Sequence, residues 1–113
     1  MLVLKRFILQ GIWLTITVHF TIQINPQFVK AYFNRGLAYG VLDEYQKAIA
    51  DYTQIIQINP QDTFAYDYRG EAYRKLGEYQ KAIADYRKIL GFSSDTSDRE
   101  YAEDRLRELG EKP

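Results

Sequence analysis

The chain has 113 residues, room for one domain. Fifteen basic and fifteen acidic side chains cancel, so no net field draws it toward nucleic acid, and no nucleic-acid partner is expected. It contains no cysteine, which excludes disulfides, thiolate catalysis and cysteine metal sites.

Residues 1–24 come first and support three readings. From Phe7 to Val29 there is no formal charge, and Lys5-Arg6 precede the run, which is the form of a signal anchor. Polar residues such as Gln10, Thr15, His19 and Gln23 dilute it. The second reading is a degenerate repeat unit. Ile22-Gln23-Ile24-Asn25-Pro26-Gln27 echoes Ile56-Gln57-Ile58-Asn59-Pro60-Gln61. With two residues missing just before Ile22, Phe20-Thr21 aligns with Tyr52-Thr53, Trp13 with Tyr45, and Phe7 with Tyr39. The larger Ile16 then stands where the small Ala48 does. The third reading is a non-native start. Ile12, Leu14, Ile16, Val18, Phe20, Ile22 and Ile24 alternate as in a strand, with no second strand to pair it.

From Asn25 onward the chain repeats itself after 34 residues. Asn25-Pro26-Gln27 returns as Asn59-Pro60-Gln61, Ala31-Tyr32 as Ala65-Tyr66, and Arg35-Gly36 as Arg69-Gly70. The block Glu44 to Tyr52 returns unchanged as Glu78 to Tyr86. A period of this length marks stacked helical units. In each unit a first helix is expected, from about Phe28 to Leu42 and from about Thr63 to Leu76. These helices place Tyr32, Gly36, Tyr39 and Tyr66, Gly70, Tyr73 on one face. Breaks at Asp43 and Gly77 lead to second helices with apolar stripes. The stripes are Tyr45, Ala48, Ile49, Tyr52, Ile56 and Tyr79, Ala82, Ile83, Tyr86, Leu90. Asn59-Pro60 closes one hairpin and opens the next. A glycine at the same mid-helix position in both units predicts close helix approach, because it costs about 1 kcal/mol of helix propensity against Ala.

The tyrosine–glycine–tyrosine spacing, the alanines Ala48 and Ala82, the aromatics Tyr52 and Tyr86 and the closing prolines resemble the tetratricopeptide repeat family. The resemblance covers residues 25 to about 92 and implies an all-α fold of stacked helix-turn-helix hairpins, a right-handed solenoid. Arg35 and Arg69 depart from it, since family members often carry leucine just before the glycine. Such an arginine either pairs with Asp51 or Asp85 on the facing helix or lies exposed.

Beyond Leu90, residues 91–98 read as a loop. Ser97 followed by Glu100 has capping-box spacing, and a helix from about Asp98 to Leu109 is expected to cover the last unit before Gly110. The organisation is thus residues 1–24 irregular or partial, 25–58 the first repeat, 59–92 the second, and 97–110 a capping helix.

No catalytic constellation stands out. His19 is the single histidine, there is no glycine-rich phosphate loop, and neither cofactor nor metal is expected. The face of each first helix opposite its core stripe, at 100° per residue, carries Lys30, Phe33, Asn34, Leu37 and Val41 in the first unit. In the second it carries Phe64, Asp67, Tyr68, Glu71 and Lys75, with Arg74 at the edge. The family resemblance implies that this face lines a concave groove for extended peptides, in a non-catalytic interaction module. Asn34 could then hydrogen-bond a peptide backbone, while Tyr68 stands where a second asparagine would. The mixed charge of Asp67, Glu71, Arg74 and Lys75 does not resemble the family's carboxylate clamp. A protein or peptide partner and a cytoplasmic location are expected. The alternatives are a membrane-anchored assembly factor, with membrane contact only through residues 7–24, and a fragment of a longer array joined to another domain. Self-association stays open if the first unit's face is uncovered.

Overall fold

The computed structural model describes residues 27–113. The three readings of residues 1–24 lie outside them. Five helices follow one another: α1 (Gln27–Val41), α2 (Tyr45–Ile58), α3 (Thr63–Lys75), α4 (Tyr79–Phe92) and α5 (Thr96–Glu108). They form an all-α stack in which each helix packs mainly on its chain neighbours. None of these helices is long and apolar enough to cross a membrane.

The turns explain the hairpins. Asp43 ends α1 with φ 58°, and Gly77 ends α3 with φ 75°. In both, the amide two residues past the last turn reaches back to a tyrosine carbonyl: Glu44 to Tyr39 and Glu78 to Tyr73, each at 2.9 Å. This closes the helix end and points the chain back along its own face. Gly110 (φ 81°) ends α5 the same way, with Glu111 bonded to Leu106 at 2.9 Å. Between the hairpins, Asn59 Oδ1 accepts from the Gln61 amide at 3.2 Å, and Asp62 Oδ1 accepts from the Ala65 amide at 3.0 Å to cap α3.

The core has two clusters. Ala48, Tyr52, Ile55 and Ala65 form one. Tyr66, Ala82, Ile83, Tyr86, Ile89, Ala102 and Leu106 form the other. Ile56 packs against both and joins them. The stripe differs from expectation by one position. Ile55 and Ile89 are fully buried, while Ile56 and Leu90 are partly buried and Tyr79 is exposed. Ala48, Tyr52 and Ile55 fall at i, i+4 and i+7, the narrowest line on the helix, and Ile49 and Ile56 flank it.

The glycines allow close approach. A Cβ on Gly36 would lie 2.6 Å from Tyr52 Cε1, and one on Gly70 would lie 3.0 Å from Tyr86 Cζ. Each second-helix tyrosine therefore seats its ring against first-helix backbone.

The C-terminal region needs two corrections. The helix α4 continues through Gly91 and Phe92, so the loop is only Ser93 to Asp95. Phe92 packs at a tilt of 50° against Tyr66, 5.4 Å between centroids, which holds these two added residues in place. The cap of α5 is Asp95, not Ser97. Asp95 Oδ1 accepts from the Asp98 amide at 3.1 Å, and α5 begins at Thr96. Two candidate caps stood two residues apart, and the Ser93 hydroxyl, bonded to the Asp95 amide and the Asp98 carboxylate, favours the earlier one.

Candidate functional site

Two structural pairs frame the site. Arg69 donates to Asp85 through Nε at 2.8 Å and Nη2 at 2.6 Å, and Arg35 repeats both bonds to Asp51 at the same lengths. Arg69 also donates to Thr53 Oγ1 at 3.2 Å. Each guanidinium sits between two tyrosines one turn away on either side. Arg35 is 5.7 Å from Tyr32 and 5.9 Å from Tyr39, and Arg69 is 5.6 Å from Tyr66 and 5.7 Å from Tyr73. Asp51 and Asp85 are buried. Burial pushes the Asp85 carboxyl up from its ordinary value, and the hydrogen bonds and charge of Arg69 pull it back. Of the two readings of these arginines, pairing is what the structure shows, although Arg35 keeps a 59% exposed side chain. These tyrosines therefore flank a cation as well as filling the core.

On the opposite face α1 and α3 meet through aromatic rings. Phe33 packs edge-on to Tyr68 at 5.1 Å and to Phe64 at 6.4 Å, and lies 6.1 Å from Tyr52. Phe64 is two-thirds exposed. A hollow of about 360 Å³ opens there, lined by Val29, Lys30, Phe33, Asp62, Phe64 and Tyr68. Its walls are apolar, with one cation and one carboxylate. On the far side of Tyr68 lies a second hollow of about 250 Å³. Leu37, Gly40, Val41, Tyr45, Ala48, Tyr52, Glu71, Ala72 and Lys75 line it together with Tyr68. Tyr68 is thus the partition between the two.

Lys30, Phe33, Phe64 and Tyr68 meet at the first hollow, and Leu37, Val41, Glu71 and Lys75 at the second. Asn34 is exposed and lines neither. Asp67 and Arg74 turn the other way, toward α5. Asp67 faces the Tyr101 hydroxyl and Arg105, and desolvation raises its carboxyl above the ordinary value against both. Arg74 grips Glu71 with two bonds of 2.9 and 2.5 Å, and these hydrogen bonds hold the Glu71 carboxyl below its ordinary value. Eight of the eleven residues thus line the two α1–α3 hollows, Asp67 and Arg74 face α5, and Asn34 stays exposed outside both hollows.

Val29 and Asp62 were not foreseen as lining. Val29 lies one turn before Phe33, so the same helical arithmetic could have found it. Asp62 shows in sequence only as a helix cap. Tyr45, Ala48 and Tyr52 read as part of the apolar stripe of the second helix, but the hollow reaches them. Tyr101 and Arg105 come from α5, whose placement no repeat spacing predicts.

Family models described as tetratricopeptide repeat match residues 29–62 and 63–91. Among solved structures the chain is similar to the TPR domain of Arabidopsis OM64, at 33% sequence identity and a TM-score of 0.62. That match covers 77% of this chain and 72% of the other. No curated protein matches the chain. With the 34-residue period, the paired hairpins and these matches together, the chain belongs to the tetratricopeptide repeat family of protein–protein interaction modules.

Proposed function

We propose that the chain is a non-catalytic module that holds an extended peptide along the α1–α3 face, with an apolar peptide side chain seated against Phe33, Phe64 and Tyr68. The observation that carries this reading is the 360 Å³ hollow, with its apolar wall and the exposed ring of Phe64 beside it. A large apolar ring left in water has its burial still to gain on binding. Lys30 and Asp62 would then select charge on either side of the anchor. The second hollow would take a further side chain, next to Glu71 and Lys75. Asn34, at the edge, would bond the peptide backbone. On the α3–α5 side, Asp67 and Arg74 are engaged with α5 and with Glu71, and they would set the outer rim.

Selection of a random displayed peptide library on the full chain tests this. Peptides carrying an apolar anchor should be enriched. Phe64→Ala and Tyr68→Ala should each weaken an enriched peptide at least tenfold, and Asn34→Ala by less. Lys88→Ala, an exposed α4 position away from this face, should leave binding unchanged. Binding that survives Asn34→Ala, Phe64→Ala and Tyr68→Ala alike would place the site elsewhere.

A further inference from the structure

The 34-residue repeat allows one face of the fold to be compared with itself. On α3, Ala65 is fully buried, Tyr66 is 6% exposed, and the Arg69 side chain is 17% exposed. What covers them is α2, through Ile55, Ile56 and the Thr53 hydroxyl that accepts from Arg69. On α1 the same residue types recur as Ala31, Tyr32 and Arg35. There Ala31 is exposed, Tyr32 is partly exposed, and Arg35 is 59% exposed. With Phe28, itself 45% exposed, these residues line a hollow of about 250 Å³. Among the described residues nothing fills it. Ala31, Tyr32 and Arg35 thus match their buried copies, and among the described residues no helix lies on them as α2 lies on α3.

We infer that the occupant is the chain's own residues 7–24, packed on α1 as α2 packs on α3. Three observations favour this occupant. Only Asn25 and Pro26 separate the segment from α1, so connectivity keeps its C-terminal end near the face and little closure entropy is lost on docking. Its last residues repeat those that end α2: Ile22-Gln23-Ile24-Asn25-Pro26-Gln27 against Ile56-Gln57-Ile58-Asn59-Pro60-Gln61. In this register Ile22 takes the place of Ile56, the side chain that joins the two core clusters. The segment also carries no formal charge from Phe7 onward and is mostly apolar, which suits an element that meets Ala31 and Tyr32. The docked segment fills the Phe28–Arg35 hollow and gives the first repeat the support that the second already has. This inference is independent of what binds the α1–α3 face.

Trp13 is the only tryptophan in the chain and lies inside the segment, so its emission reports on docking. The experiment uses the full chain, its Ala31→Arg variant and its Ile22→Asp variant. Emission and urea unfolding are followed over a hundredfold range of protein concentration, with and without phosphatidylcholine and phosphatidylglycerol vesicles. Docking predicts a blue-shifted Trp13 emission that depends neither on concentration nor on lipid. It also predicts that both variants move the emission to that of tryptophan in water and lower the urea midpoint. The double variant should then lose no more than the worse single one, because both disrupt the same contact. A parent emission already at the water value overturns the inference. So does an unchanged emission in Ala31→Arg. A blue shift that fades on dilution assigns the face to a second copy, and one that needs vesicles assigns the segment to a membrane. If Ala31→Arg lowers helicity, Ile22→Asp carries the decision, since it changes no residue of α1 to α5.

Discussion

Arg69 and Asp85 stand 16 residues apart in sequence and join α3 to α4 with two parallel hydrogen bonds of 2.8 and 2.6 Å, the guanidinium lying between Tyr66 and Tyr73. Geometry of this kind offsets the desolvation of both charges only while both partners are present. Arg69→Ala should therefore cost about 3 kcal/mol, much of it from the carboxylate left buried. The exposed pair of Arg87 and Glu111, 2.7 Å apart, makes the contrast. Arg87→Ala should stay within about 0.5 kcal/mol of the parent. Urea unfolding followed by circular dichroism measures both, and equal losses would remove any special standing from the buried pair.

Two glycines on one helix should respond in opposite directions. Gly36→Ala brings a methyl group to 2.6 Å from the Tyr52 ring. Overpacking there should outweigh the gain of about 1 kcal/mol in helix propensity and leave a net loss. Gly40 has nothing within 4 Å of a Cβ, so Gly40→Ala should add roughly 0.5–1 kcal/mol. Thermal midpoints of the two variants decide it. A gain in Gly36→Ala would mean that the Tyr52 ring moves aside freely.

The start of α5 gives a paired test of capping. Asp95→Ala should cost about 1 kcal/mol, because the Asp98 amide loses its acceptor. Ser97→Ala should be nearly silent, since Ser97 lies inside the first turn. The reverse ranking in urea unfolding would return the cap to Ser97.

Tyr52 sets an alkaline limit. Burial, with smaller contributions from Tyr68 and Asp51, pushes its hydroxyl up to about 12 from an ordinary value near 10. The folded chain thus holds this proton where the unfolded chain has released it. Stability should fall as pH rises above 10, and this share of the loss should level off near 12. Tyr52→Phe should flatten that part of the slope and change little at pH 7. An unchanged slope would mean that other tyrosines carry it.

The fold was legible because the same interactions are written twice. Tyr52 and Tyr86, Gly36 and Gly70, Arg35 and Arg69 each have a counterpart 34 residues away, and a periodic pattern needs no knowledge of distant contacts. What was not legible lies where the copies end or where two faces compete. Phe92 extends α4 because Tyr66, on another helix, offers it a ring. Asp95 displaces Ser97 as the cap because Ser93 supports it from the loop. For the candidate site, helical arithmetic put Lys30, Phe33, Phe64 and Tyr68 on one face, where they line one hollow, but it treated the face as uniform. Asp67 and Arg74 turn toward α5, whose position follows from tertiary packing rather than from spacing.

Among the described residues the most extensive packing is between helices consecutive in the chain. Contacts between more distant stretches, such as Phe33 with Tyr68 and Asp67 with Tyr101, are fewer, so formation should be fast and can begin at any hairpin. Loosening should be local too, with amide exchange graded from the ends inward rather than lost all at once. If α5 lifts away, Ala102 and Leu106 leave the Tyr86 cluster, and the most enclosed ring among the described residues becomes surface.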